Sequence, residues 1–133
     1  AAGTFLTLCA DYRIGLEGDC KYGLNEVKIG LTMPQYVIEM ARQRLTPAEF
    51  SRAIVTGRIY TPEEAAAAGF IDTVVSAGDF ESACAEATAE METLNVEAHA
   101  ATKLRARAGT IAALRKAIEE EIEAHMPGEG RAS

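Results

Sequence analysis

One carboxylate, that of Glu26, stands between apolar residues and two glycines in the segment GLNEVKIGL, residues 23–31. Leu24 and Val27 flank it closely, so we expect the carboxylate to be partly desolvated. Desolvation disfavours the charged form of a carboxylate and makes it a stronger base near neutral pH. A glutamate that only caps or pairs at the end of a loop would show the same local pattern. The segment alone therefore leaves open a general base and a purely structural role.

Short motifs follow one another along the first part of the chain. They are AGTFL at residues 2–6, DYRI at 11–14, KYGLNE at 21–26, GRIY at 57–60 and GFID at 69–72. Their order and spacing resemble those of the crotonase superfamily, also called the enoyl-CoA hydratase/isomerase family. The resemblance covers residues 1–75 closely and the remainder loosely. It implies an α/β fold of the crotonase-like (ClpP/crotonase) type, with a ββα-type core followed by C-terminal helices.

The resemblance also implies an oxyanion hole. Enzymes of this superfamily hold the thioester oxygen of an acyl-CoA between two backbone N–H groups, which stabilise the negative charge that develops there. One of these donors aligns with Ala2 and Gly3, at the expected start of a helix. Ala2 stands where many members have glycine, but the backbone N–H is retained. Without the resemblance, the same residues would be interpreted as a close-packed turn.

Only one of the two glutamates that hydratases of this superfamily use has a counterpart here. Aligned back from Asp11, the first falls on Phe5, which cannot accept a proton or orient water, and the second falls on Glu26. One carboxylate is sufficient to remove a proton at C2 and return it at C4. The pattern therefore resembles that of Δ3,Δ2-enoyl-CoA isomerases. Asn25 either orients Glu26 through a hydrogen bond or shapes the loop, and we include Phe5 and Asn25 among the substrate-binding candidates.

Basic residues cluster on the penultimate predicted helix, at Lys103, Arg105 and Arg107. They would either contact the phosphates of CoA or form a solvated helix face, and we retain Lys103 as a substrate-binding candidate. His99 and His125 have no neighbours with metal-ligand spacing, so we expect no metal site. We expect no cofactor either, because the substrate itself carries coenzyme A.

Several functions remain open at this stage. The first is an enoyl-CoA isomerase of fatty acid metabolism in which Glu26 is the only acid/base. The second is an enoyl-CoA hydratase, a lyase that takes a further acid/base from an N-terminal half. The third is a catalytically inert piece that retains only assembly surfaces. The upstream sequence would discriminate between them, because a second carboxylate there would favour the hydratase.

The chain has 133 residues and begins within a family motif, whereas crotonase folds are much longer. We therefore expect it to be the C-terminal half of an enzyme, without the first oxyanion donor. The resemblance implies a homotrimer or hexamer for the full-length protein. We expect the isolated piece to be inactive and to aggregate or self-associate.

Composition limits the classes of binding partner and the cellular compartment that we expect for this protein. The net charge of −7 argues against binding to nucleic acid or to an anionic membrane surface. No apolar run reaches the length of about 18 residues that a membrane span requires. The three cysteines are scattered without a CxxC motif, which is typical of reduced cysteines and predicts a cytoplasmic protein.

We divide the chain into a core part at 1–78, a helical region at 79–126 for oligomerisation and active-site cover, and a frayed tail at 127–133. In the core part, Thr46 and Thr61 each stand three residues before a glutamate, the spacing of a capping box. The other elements predicted there are a helix from Gly3, a strand at 12–14, a turn at 15–19, a helix at 34–44, a helix ended by Gly69 and a strand at 73–75.

Three helices are predicted after residue 78, at 79–94, 96–107 and 110–124, with Gly109 as the break before the last one. The last helix carries an apolar stripe that needs a partner surface, either in its own domain or in another subunit. Its members are Ile111, Leu114, Ile118 and Ile122.

Overall fold

The computed structural model describes residues 2–125, and the predicted tail at 127–133 lies outside that range. The helices within it are α1 (Ala2–Leu8), α2 (Gln35–Arg44), α3 (Pro47–Val55), α4 (Pro62–Ala68), α5 (Phe80–Glu92), α6 (Val96–Ala106) and α7 (Ala108–His125). The strands are β1 (Ile14–Leu16), β2 (Tyr22–Gly23), β3 (Ile59–Tyr60) and β4 (Thr73–Val75), and a 3₁₀ helix covers Glu26–Ile29.

The strands form two short pairs. Strand β1 is parallel to β4, with Ile14 opposite Thr73, and β2 is antiparallel to β3, with Gly23 opposite Ile59. The prediction of a strand at 12–14 was wrong by two residues. The backbone N–H groups of Asp72 and Thr73 donate to the carbonyl of Arg13, and Ile14 is the first residue paired with β4, so Tyr12 lies outside the strand. Part of the predicted turn at 15–19 is therefore strand.

Helix caps follow the local sequence. The Thr61 side chain accepts a hydrogen bond from the Glu64 backbone N–H at 3.3 Å, and the Glu64 carboxylate accepts one from the Thr61 N–H at 3.0 Å. This confirms the predicted capping box of α4, and Gly69 ends the helix in the left-handed conformation as predicted. At Thr46 only the first of the two bonds forms, because the Glu49 carboxylate is bound elsewhere.

The core lies where the first four helices meet the strand pairs. Its largest fully buried side chains include Leu8, Leu24, Tyr60, Phe70 and Ile71. The rings of Tyr60 and Phe70 pack at a centroid distance of 5.1 Å. Burial and a 2.9 Å hydrogen bond that the Tyr60 hydroxyl donates to Glu49 raise the pKa of Tyr60 to about 12.

One ion pair joins the start of β1 to the segment between α4 and β4. The Arg13 guanidinium donates to both carboxylate oxygens of Asp72 at 2.8 and 2.9 Å. It also donates to the backbone carbonyls of Gly69 and Phe70, at the end of α4. Asp72 thus holds the joint between α4 and β4.

The C-terminal helices are held mainly through α7. Ala117 on this helix is only 2% exposed, and α7 packs along α2. Helices α5 and α6 have no fully buried residue. The predicted break at Gly109 was wrong, because the chain turns at Arg107 and Gly109 is already helical. The stripe of α7 is partly covered by its own chain, whereas Ile118 and Ile122 stay more than 40% exposed.

Candidate active site

Glu26 is the first residue of the 3₁₀ helix and is half-buried. Its Oε2 atom is buried and receives no hydrogen bond from any described residue. Leu24, two residues earlier, is fully buried and anchors the segment in the core. The backbone N–H of Leu31 donates to the Glu26 carbonyl at 3.0 Å and closes the turn after it. One oxygen of this carboxylate is thus shielded from solvent by the described residues.

Two contacts fix the chain just before Glu26. The backbone N–H of Gly23 donates to the Thr4 hydroxyl of α1 at 3.3 Å, in a buried position. On the other side, Gly23 pairs with Ile59 of β3. The Glu26 segment therefore lies between α1 and β3, the two elements that carry the first and fourth sequence motifs.

Three other carboxylates of the core part have basic partners. Asp72 binds Arg13, and Glu49 and Glu64 both bind Arg58. Burial by itself raises the pKa of Asp72, but the hydrogen bonds and charge of Arg13 outweigh it, so the pKa is lowered overall. Glu26 differs from these residues because no described basic residue holds it.

The residues predicted for the oxyanion hole and the missing glutamate lie on α1. Ala2 and Gly3 are its first two residues and are exposed. Phe5 is half-buried and packs edge-on against Tyr36 of α2, at a centroid distance of 5.6 Å. Thr4 connects this helix to the Glu26 segment. The roles of Ala2, Gly3 and Phe5 stay predictions, but their element is attached to the segment that carries Glu26.

Asn25 precedes the 3₁₀ helix and is half-buried. Its side chain does not cap that helix, whereas its backbone carbonyl accepts a hydrogen bond from the Lys28 N–H at 2.9 Å. The geometry favours the loop-shaping interpretation over an orienting bond to Glu26.

Lys103 contacts Asp11, which lies in the bend between α1 and β1. Its ammonium group and the Arg107 guanidinium both donate to the Asp11 carboxylate, the latter at 2.6 Å. His99 approaches the same carboxylate at 3.9 Å. The hydrogen bond from Lys103 is the main cause that lowers the pKa of Asp11 to about 2. This cluster was missed from the sequence, because its members are separated by about ninety residues and no local pattern links them.

We expect Asp11→Asn to loosen α6, because that helix buries no residue fully and this cluster ties it to the bend between α1 and β1. The pKa of Asp11 is lowered, so the ion pairs are complete above its ordinary value of 3.8 and are lost as the pH falls through about 2. At neutral pH, amide hydrogen exchange in Val96–Ala106 should be faster in the variant than in the wild-type protein. Asp19→Asn, an exposed loop substitution, is the control, and equal exchange in both variants would contradict the tether.

No group of three or more His, Cys, Asp or Glu side chains among residues 2–125 is arranged to hold a metal ion. Within the same range, no helix is both long and apolar enough to cross a membrane.

Comparison with known proteins identifies relatives of this chain. A model of the family described as enoyl-CoA hydratase/isomerase matches residues 1–128. Enoyl-CoA delta isomerase 1, mitochondrial, of Mus musculus is 36% identical over 77 residues, which are 56% of this chain and 26% of that protein.

Solved structures match over nearly the whole chain. An enoyl-CoA hydratase/isomerase family protein from Pseudomonas syringae is 44% identical with a TM-score of 0.90, over 96% of this chain and 55% of that one. Human mitochondrial delta3-delta2-enoyl-CoA isomerase is 26% identical with a TM-score of 0.86, over 93% of this chain and 48% of that one. The chain thus spans about half the length of these structures. The predicted crotonase-like α/β fold is confirmed, and the chain belongs to the enoyl-CoA hydratase/isomerase family.

Proposed function

We propose that this chain carries the acid/base of an enoyl-CoA isomerase, with Glu26 as the residue that moves the proton. The observation that carries the proposal is the state of the Glu26 carboxylate. Its Oε2 atom is buried and receives no hydrogen bond from a described residue. A desolvated carboxylate that no structural ion pair occupies is available to take a proton from a substrate.

The proposed reaction shifts a double bond by one position. Glu26 removes a proton from C2 of a 3-enoyl-CoA. The electron pair of that C–H bond forms a C1=C2 double bond while the π pair of the thioester carbonyl moves to its oxygen, which gives a dienolate that still holds the C3=C4 double bond. Negative charge accumulates on the thioester oxygen, where the backbone N–H of Ala2 is the proposed donor. The same carboxyl then gives the proton to C4, which takes it with the electron pair of the C3=C4 double bond. The C1=C2 pair shifts to form C2=C3, the thioester carbonyl is restored, and the product is a 2-enoyl-CoA. Because the proton is returned, the reaction consumes neither water nor an external acid.

Phe5 supports isomerisation over hydration. Adding water to a double bond needs a group that activates the water as well as one that handles the α-proton. In the alignment, the first of the two hydratase glutamates falls on Phe5, whose ring packs against Tyr36. An aromatic ring cannot accept the proton of a water molecule. The hydratase alternative therefore needs an acid/base from outside this chain.

The full-length protein is expected to isomerise 3-enoyl-CoA faster than it hydrates crotonyl-CoA, because Phe5 leaves only one carboxylate for the chemistry. Both rates are measured on the same purified preparation, so that loss of folded protein affects them equally. Efficient hydration with negligible isomerisation would contradict the single-carboxylate mechanism. Activity in neither assay would favour the inert alternative.

The remaining assignments are proposals that follow from family membership. The substrate is an acyl-CoA thioester, the full-length protein forms a trimer or hexamer, and it serves fatty acid metabolism. We retain the cytoplasm as the proposed compartment, whereas the names of the mouse and human relatives place those proteins in mitochondria. Fractionation of cells that express the full-length protein tests the compartment directly.

A further inference from the structure

Gly57 lies against the segment that carries Glu26. It is buried, it has a φ of +61°, and it connects the end of α3 to β3. A Cβ atom at this position would lie 3.0 Å from Cγ2 of Val27, 3.2 Å from Cγ of Lys28 and 3.4 Å from Cα of Asn25. These residues surround Glu26 in the sequence. The backbone of Gly57 therefore approaches the 3₁₀ helix more closely than a larger residue would allow.

The close approach continues along the neighbouring strands. A Cβ on Gly23 would lie 2.6 Å from Cδ1 of Ile59 and 3.1 Å from the carbonyl oxygen of Arg58. Residues 22–28 and 57–60 thus pack against each other along their lengths, with a glycine from each segment at the contact. The hydrogen bond from Gly23 to Thr4 holds residues 22–28 from the side of α1. If a side chain at Gly57 pushed residues 22–28 away from β3, the 3₁₀ helix would therefore shift, because α1 holds these residues from the other side.

We propose that Gly57 is a positioning residue for Glu26: the missing Cβ sets the distance between β3 and the 3₁₀ helix, and so the place of the carboxylate. The inference rests on the proposed acid/base role of Glu26. Proton transfer requires the base within hydrogen-bond reach of the proton it removes. An added methyl group at Gly57 would press on Val27 and Lys28, the two residues that follow Glu26, and would touch Asn25 at ordinary contact distance. It acts on catalysis without touching the substrate.

Gly57→Ala in the full-length protein is expected to lower kcat by about 10- to 100-fold, as small displacements of a reacting group do, while KM changes little. Gly18→Ala is the matched control. Gly18 also has a positive φ, of +102°, but a Cβ there meets no atom within 4 Å. Both variants carry backbone strain, and only Gly57→Ala adds a contact with the Glu26 segment. Equal kcat values for the two variants would overturn the proposal.

A second substitution separates positioning from a loss of folding. Val27→Ala removes Cγ2, the atom closest to the added methyl group, so Gly57→Ala/Val27→Ala should recover at least part of the lost kcat. A double-mutant cycle with Val27→Ala alone gives the coupling between the two sites. If the effect of Gly57→Ala came only from strained backbone, the second substitution would not restore activity. If Val27→Ala does not restore any of the kcat lost in Gly57→Ala, the result counts against the proposal, even when Gly57→Ala alone is unstable.

Amide hydrogen exchange tests the same inference without an activity assay. Residues 26–31 should exchange faster in Gly57→Ala than in Gly18→Ala, because the displaced 3₁₀ helix loses its closing hydrogen bonds. If residues 26–31 exchange faster in Gly57→Ala but the wild-type protein has no isomerase activity, the packing role of Gly57 is supported and the proposed function is rejected. Unchanged exchange in an active isomerase would reject the positioning role alone.

Discussion

Replacing Glu26 by glutamine in the full-length protein is expected to lower kcat for 3-enoyl-CoA by about 10²- to 10⁴-fold, the range of general acid–base contributions. Glutamine keeps the size of the side chain but cannot take the C2 proton. The effect should fall on kcat far more than on KM, because the carboxylate acts in the transition state rather than in binding. Steady-state kinetics at saturating substrate measure it directly.

The stability of the Glu26→Gln variant separates catalysis from structure. No described residue donates a hydrogen bond to the buried Oε2 atom, so the substitution breaks no structural contact there. We therefore expect the melting temperature to be unchanged or slightly raised. Glu17→Gln, at an exposed position, is the control. Near-normal turnover in the Glu26→Gln variant would remove this residue from the mechanism.

Elements with local signals were predictable from the sequence. The capping box at Thr61 and the left-handed Gly69 bound α4 as expected, since both depend on hydrogen bonds within a few residues. The helices after residue 78 also formed near their expected positions. At Thr46 the prediction was half right, because Glu49 binds Tyr60 and Arg58 instead of closing the cap. Competition from a distant partner is invisible in a local pattern.

Elements that depend on distant pairing were missed or misplaced. Strands β2 and β3 have only two residues each and exist because 22–23 and 59–60 meet. Neither segment is long enough to show an alternation of apolar and polar residues. The register of β1 is likewise fixed by Arg13 and its bonds to Asp72, which lies about sixty residues away along the chain.

The candidate site was only partly predictable for the same reason. The apolar neighbours of Glu26 indicated a desolvated carboxylate, and the buried Oε2 atom agrees. The contacts that hold its segment come from Thr4 and Gly57, and nothing in residues 23–31 points to either. Lys103 was predicted from charge alone, and its bond to Asp11 could not be foreseen. Residue type suggested the chemistry, whereas the fold determines what holds each group in place.

Asp72→Asn is expected to lower the free energy of unfolding by about 3 kcal/mol, at the lower end of the range for breaking one partner of a buried ion pair. The Arg13 side chain is 6% exposed and would keep its charge without a counterion, whereas Asp72 is 32% exposed, so water offsets part of the loss. Chemical denaturation of both proteins at neutral pH measures the difference. Asp11→Asn is the comparison, because it disrupts exposed ion pairs and should cost below about 1 kcal/mol.

The pH dependence of the Asp72→Asn effect tests its electrostatic origin. The pKa of Asp72 is lowered by Arg13 below its ordinary value of 3.8, so the folded state binds fewer protons there than the unfolded state. The stabilisation is therefore complete above pH 3.8 and is lost as the pH falls through the folded-state pKa. The difference between wild-type and Asp72→Asn proteins should shrink over that acidic range. A difference that stays constant down to the acid-unfolding limit would assign the cost to lost packing rather than to the buried charge of Arg13.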